Sequence, residues 1–302
     1  MSRPRLDVVV VGGGPAGLSA ALVLGRCRRQ VVVVDSGEYR NAASPAMHGF
    51  LSRDGTDPGE LRRLGRAELA RYESVAVREG IATRAEPVRG GFRVHLGEEA
   101  PLECRRLLVA TGMVDELPGV PGFAELYGRS AFHCPYCDGW EHRDWPLAVY
   151  GRAGPGLGLA LELTAWSGDV ILCTDGPSGL RPDEVARLAA NGIDMREQRI
   201  AGFDSTDGML EAVVFDDGTA LARRAVFFNT GERQRSELPA ELGCRFDRHG
   251  AVRTGPYETT DVPGLYVAGD ASRMVQLVIV AAAEGAEAAF AINTSLLRED
   301  LR

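Results

Sequence analysis

A chain of 302 residues, 45% hydrophobic and 25% charged, has ordinary globular composition and enough length for about two domains. A net charge of −8, with the basic residues scattered, leaves no stripe suited to nucleic acid. Six cysteines do not make a secreted disulfide framework, and the one apolar stretch of note, Val8 to Gly25, is interrupted by Gly12-Gly13-Gly14-Pro15. Neither a membrane span nor a signal peptide is expected, and the predicted location is cytoplasmic.

Leu6 to Val11 is a short continuous apolar run ending in glycines, the pattern of a buried parallel strand. Pro15 to Arg26 has helical apolar spacing, and Val31 to Val34 is the next strand, giving a βαβ unit. The Arg26-Cys27-Arg28-Arg29 cluster reads as the helix C-terminus, where cations oppose the helix dipole. Between strand and helix, Gly12 to Gly17 fits GxGxxG. Gly12 permits the turn, Gly14 lets the backbone approach a pyrophosphate, and Gly17 allows close helix–strand packing. The helix N-terminus, with Pro15 and Ala16 in its first turn, faces the phosphates. Asp35 closes the second strand, placed to accept hydrogen bonds from a ribose.

Leu107 to Ala110 is a further strand, ending in Ala110-Thr111-Gly112, and Leu117 to Gly122 reads as a linker. Next comes Cys134-Pro135-Tyr136-Cys137. Such a pair is a dithiol/disulfide couple, half of a zinc site, or two buried thiols. Zinc wants four ligands; there is no second CxxC, and only His133 and His142 flank the pair. Pro135 suits the first position of a helix, whose dipole would favour a thiolate. Asp138 either shuttles a proton for a departing thiolate or is an ordinary first-turn acid. Cys27, Cys104, Cys173 and Cys244 read as small buried hydrophobes.

A second βαβ unit runs from Leu147 to Tyr150, through a glycine turn and Leu157 to Trp166, to Val170 to Cys173, with Ala225 to Asn229 as its last strand. Its turn, Gly151 to Gly156, has Ala153 where the close-approach glycine belongs. Beyond the strand, Thr174-Asp175-Gly176 offers no arginine before Arg181, and Asp175 would repel an NADP 2′-phosphate. A degenerate nucleotide fold kept as scaffold is the competing reading. The chain then returns to the first unit through the strand Gly264 to Asp270 and a long helix, Gln276 to Asn293. The expected organisation is an α/β protein with two Rossmann-like dinucleotide-binding domains. One comprises residues 1–115 and 243–302; the other, 116–242, is inserted and carries the CxxC.

Taken together, Gly12 to Gly17, Ala110-Thr111-Gly112, Cys134 to Gly139, Gly151 to Gly156 and Gly269-Asp270 resemble the low-molecular-weight thioredoxin reductase family across nearly the whole chain. That resemblance implies bound FAD, a homodimer, Cys137 facing the flavin and Cys134 exchanging with substrate. It implies that Asp270 binds the ribityl or phosphate region and that Gln276 sits near the flavin pyrimidine edge. Ser36, His48 and Leu277 complete the expected cofactor-binding residues. The catalytic set is Cys134, Cys137 and Asp138, with no metal. The segments His133 to Glu141 and Met47 to Gly55 are most similar to the dithiol oxidases of gliotoxin and holomycin biosynthesis. This branch implies a small-molecule dithiol, disulfide formation and oxygen as electron acceptor. Asp138 is the reductase-like choice, so a reductase acting on a thioredoxin-like protein partner, fed by NAD(P)H or another electron carrier, is the alternative. A flavin-bearing redox sensor without turnover is the third reading.

Overall fold

The structure is a computed structural model that describes residues 6–302. The chain divides into two compact units. One takes in residues up to Arg40, Gly49–Val114 and Glu232–Arg302; the other takes in Asn41–His48 and Asp115–Gly231. Both are α/β folds, the first on a mixed sheet with parallel central strands and the second on a parallel sheet, as the two βαβ patterns predict.

In the first unit, the strand Leu6–Val11 lies between Val31–Asp35 and Glu99–Val109, parallel to both, with Val75–Glu79 beyond Val31–Asp35. The Glu99–Val109 strand serves two partners on its other side. Its first part pairs antiparallel with Gly91–Leu96, and Leu107 to Val109 pair in parallel with Leu265–Val267. Val8 and Val10 pack on one face with Leu18, Ala21 and Leu24; Val9 and Val11 pack on the other with Phe92, Leu107 and Val267. A strand buried on both faces has no polar positions to alternate, hence its unbroken valine run.

The boundaries depart from the sequence expectation for identifiable reasons. Residues 232–242 belong to the first unit, because Gln234 Nε2 donates to the carbonyls of Gly250 and Ala271, and Leu238 and Leu242 enter its core. Residues 41–48 belong to the second, where Ala43 lies against Gly128 and His48 against Glu141.

The second unit has five parallel strands in the order Asp194–Arg196, Val170–Cys173, Leu147–Tyr150, Ala225–Phe228, Ala131–Phe132, plus a three-stranded antiparallel sheet from Ile200 to Ala222. Cys104, Cys173 and Cys244 are buried as expected, but Cys27 is exposed. It caps the Pro15–Arg26 helix one residue past its last turn, where the chain has left the core. No helix among the described residues is long and apolar enough to cross a membrane.

Candidate active site

The three motif glycines of the first turn, Gly12, Gly14 and Gly17, have separate tasks. Gly12 sits at φ +114°, and a Cβ there would lie 2.2 Å from the Ala110 carbonyl oxygen. One at Gly17 would lie 1.8 Å from the Gly12 carbonyl oxygen. Both positions are fixed by packing of backbone on backbone. Gly14, in contrast, faces open space, with nothing within 4 Å of such a Cβ. It is also the N-cap of the Pro15–Arg26 helix, whose first turn carries no acid to compete for the free N–H groups. Beside Gly12, the Thr111 hydroxyl is buried without a partner. An open glycine, uncommitted donors and an orphaned hydroxyl fit a dinucleotide cofactor.

Asp35 does close its strand and is only 2% exposed, but its carboxylate is already engaged. The Tyr39 hydroxyl donates to Oδ2 at 2.5 Å, Arg66 donates to the same oxygen, and the Gly37 N–H donates to Oδ1 at 3.2 Å. Burial, and then Asp35, raise the pKa of Tyr39, keeping it a hydroxyl donor. Ser36 is exposed and takes the Glu38 N–H at 3.3 Å. Tyr39 and Arg66 escaped the sequence reading, since only the fold brings the Pro58–Leu69 helix to Asp35.

At the C-terminal end, Gly269 adopts φ +80° and its N–H donates to Glu284 at 2.8 Å. Asp270 follows and accepts from Arg40 at 3.2 Å. Arg40 also donates to Gln276 and, at 2.7 Å, to Glu232, while Gln276 Nε2 donates to Glu232 at 2.6 Å. The terminal helix is Val278–Asp300, so Leu277 is its N-cap and Gln276 stands just outside it. A Cβ on Gly285 would lie 2.0 Å from the Ala16 carbonyl oxygen, so this helix rests directly on the phosphate-turn helix.

In the second unit, Cys134 and Cys137 are joined by a disulfide. That leaves a metal no thiolate from the pair. Cys134 is the N-cap of the single helical turn Pro135–Asp138, and its sulfur accepts the Cys137 N–H at 3.1 Å. Tyr136 and Trp140 beside it are 70% and 64% exposed. Asp138 is half-buried; burial, with the Glu141 carboxylate adding to it, pushes its carboxyl up to about 7. His142 Nδ1 donates to the Asp138 carbonyl at 2.7 Å, and burial lowers the pKa of its ring, holding it neutral. His133 turns to Asp115 instead, at 3.6 Å, and Tyr127 donates to the same carboxylate oxygen. His48, expected among the cofactor residues, lies in this unit with Nδ1 3.5 Å from Glu141 Oε1.

The second glycine turn differs from the first. Ala153 takes φ +48°, and its N–H donates to the carbonyl of Ser178 at 2.8 Å. The loop bearing Ser178 is held in turn by Glu197, which accepts the Ser178 N–H at 2.7 Å. The sequence places no arginine near Asp175 before Arg181; the structure corrects this. Arg152, at the head of the Ala153–Leu163 helix, and Arg199, leading into Ile200–Thr206, approach Asp175 Oδ2 to 3.3 and 3.7 Å. The Ile200 N–H donates to Asp175 Oδ1 at 2.9 Å.

Two glycine-turn dinucleotide folds, one carrying a CxxC disulfide, define a flavin-dependent disulfide oxidoreductase. A family profile described as pyridine nucleotide-disulphide oxidoreductase matches residues 6–285, and the chain belongs to that family. Among curated proteins it is 32% identical to thioredoxin reductase tcpT of Claviceps purpurea (strain 20.1), over 97% of this chain and 95% of the relative. Among solved structures it resembles HlmI at 39% identity and a TM-score of 0.93, covering 98% and 94% of the two chains. It also resembles the putative thioredoxin reductase TrxB from Bacillus anthracis at 32% identity and 0.92, covering 98% and 99%. The motif-based resemblance to thioredoxin reductases is borne out.

Proposed function

We propose that the protein is an FAD-dependent dithiol oxidase that closes a disulfide in a small-molecule dithiol and passes the electrons to oxygen. FAD would be held by the first glycine turn, Asp35, Thr111 and the Gly269-Asp270 end. A substrate thiolate attacks the Cys134 sulfur, breaking the Cys134–Cys137 bond and releasing Cys137 as a thiolate. The second substrate thiolate attacks its partner sulfur in the mixed disulfide, closing the product and releasing Cys134. Substrate has lost two electrons and two protons; the cysteine pair has gained the electrons. Asp138, with its raised proton affinity, takes up and returns one proton at the pair. FAD held there would supply the two-electron acceptor for the cysteine pair and the site at which oxygen takes the electrons, with two protons, as hydrogen peroxide.

The observation carrying this reading over a reductase is the state of the second turn. The Ala153 N–H, one of the donors a pyrophosphate would need, is taken by the Ser178 carbonyl. That favours electrons arriving from thiols and not from a nicotinamide. The reductase remains as a second reading because Asp138 follows Cys137 directly and because two arginines surround Asp175. The deciding experiment mixes the yellow protein anaerobically with NADPH, NADH or a small dithiol. Bleaching by dithiol alone, then peroxide on admitting air, supports the oxidase. Rapid bleaching by NADPH or NADH overturns it.

A further inference from the structure

On the proposed seating of FAD between the first glycine turn and the Gly269-Asp270 end, we infer that Glu284 is a positioning residue for the cofactor, gripping both ends of the loop that carries Asp270. All the groups concerned lie in the first unit. Glu284 sits in the second turn of the Val278–Asp300 helix and is 6% exposed. Its Oε2 accepts the buried Gly269 N–H at 2.8 Å, and its Oε1 accepts from Arg273 Nε at 2.6 Å. Gly269 precedes the Asp270–Ser272 turn and Arg273 follows it, so one carboxylate closes the loop across its base. Arg273 is steadied in turn by Glu258, which accepts from Nη2 at 2.6 Å, and by the Thr254 hydroxyl, which accepts from Nη1 at 3.3 Å. Within the loop, the Ser272 hydroxyl is shared between the carbonyls of Val267 and Gly269, each 3.2 Å away.

The same helix fixes the phosphate end. A Cβ on its next residue, Gly285, would lie 2.0 Å from the Ala16 carbonyl oxygen, and one on Gly269 would lie 3.1 Å from the Ala16 Cβ. Ala16, in the first turn of the phosphate helix, thus has the terminal helix on its backbone and the Asp270 loop on its side chain. Glu284 and Gly285 together space the two ends of the cradle. Chemistry separates what each end takes. A pyrophosphate offers only acceptors and negative charge, so it suits the free N–H groups at Gly14 and not a carboxylate. Asp270 is an acceptor, and the donors that the flavin half of FAD offers along its chain are the ribityl hydroxyls. Disturbing the Asp270 loop therefore weakens the grip on the flavin half and spares the adenosine diphosphate half.

The test is calorimetric titration of the whole chain, stripped of flavin, with FAD and with ADP, which carries the pyrophosphate and ribose but no ribityl chain. Glu284→Asp keeps the negative charge but is too short to reach both Gly269 and Arg273. Its FAD affinity should fall about 10-fold or more, the scale for a buried N–H deprived of its acceptor, while its ADP affinity stays within about threefold of wild type. Glu284→Gln loses the charge but keeps one acceptor. That oxygen should turn to the buried Gly269 N–H, because Arg273 keeps Glu258 and, with 37% of its side chain exposed, takes water in place of the lost partner. FAD affinity in this variant should stay within about threefold of wild type. Gly285→Ala, which pushes the helix off Ala16, should weaken FAD and ADP together. Parallel loss of both ligands in Glu284→Asp, unchanged FAD affinity there, or a Glu284→Gln protein as weak as Glu284→Asp overturns the inference. Wild-type protein that takes up neither ligand overturns instead the seating of FAD in this unit, and the role of Glu284 falls with it.

Discussion

The backbone N–H of Ala153 donates to the carbonyl of Ser178 at 2.8 Å, so the chain fills one donor of its own second phosphate turn. A dinucleotide would have to break that bond and find Arg152 and Arg199 already at Asp175. NADPH and NADH should therefore bind no more tightly than about 1 mM, some 4 kcal/mol of binding free energy. Titration of the oxidised protein by calorimetry checks this. Micromolar affinity for either nucleotide would restore the reductase reading.

Gly14 and Gly17 should separate cofactor binding from folding. Gly14→Val places its side chain in open space, so the apoprotein should keep wild-type circular dichroism while purifying largely colourless. Gly17→Ala drives a methyl into the Gly12 carbonyl, so that variant should lose stability by about 1–3 kcal/mol and lose the cofactor as a consequence. A yellow Gly14→Val protein with a full flavin complement would mean the phosphate loop lies elsewhere.

The two cysteines should fail differently. In Cys137→Ser, dithiol should form a mixed disulfide at Cys134 but leave the flavin oxidised. In Cys134→Ser, the remaining Cys137 thiolate should give a long-wavelength charge-transfer band that fades on acidification. Oxygen consumption should drop at least 100-fold in both. Turnover near wild type in either variant would end the relay scheme and leave the disulfide a structural brace.

Asp138→Asn should slow turnover yet strengthen the oxidised fold at neutral pH. The folded carboxyl ionises at about 7, above its ordinary value of 3.8, because burial disfavours the charge. Its contribution is fully present below pH 3.8 and is lost as pH rises to 7, since the unfolded chain ionises first. The variant lacks that loss, so its advantage should be absent near pH 3.5 and reach on the order of 2–4 kcal/mol at pH 8. Urea unfolding of both proteins at the two pH values reads the difference. Equal stability at pH 8 contradicts the assignment.

Arg273 should matter more for stability than its surface position suggests. It donates to Glu258 and Glu284, each at 2.6 Å, and both acids are buried. Burial already pushes Glu258 up to about 7, with Arg273 opposing the shift and Glu284 adding to it. Arg273→Gln strands two buried carboxylates and should cost about 3–5 kcal/mol at pH 8. The loss should shrink near pH 5, where the acids bind protons. Thermal melts at both pH values check the ordering.

What the sequence reveals of this molecule is what is local. The Gly12–Gly17 turn, the helix beginning at Pro135 and the strand Leu147–Tyr150 are each specified by neighbours within a few residues, and the structure has them there. The Glu99–Val109 strand reads short because Glu103, Arg105 and Arg106 interrupt its apolar run; those side chains pair with Arg93, Asp7 and Glu299 and suit a half-exposed strand. Arg40, Arg66, Arg152 and Arg199 escape notice for a related reason. A lone arginine in sequence carries no sign of which carboxylate the fold will bring to it. His48 is the sharpest case, since its motif resembles a cofactor segment while its ion-pair partner stands beside the CxxC.

The two-partner strand Glu99–Val109 also dictates the order in which the molecule can be finished. Its parallel neighbour Leu265–Val267 leaves the ribosome only after the entire second unit has been made. The first unit must therefore wait with an unpaired sheet edge at Leu107 to Val109, while every residue of the second has already been made. The glycine turn precedes the second unit along the chain, yet Gly285, which reaches Ala16, follows it. A cofactor at this turn would meet its finished surroundings only after the terminal helix is in place, and the waiting sheet edge is where premature release would expose the chain to aggregation.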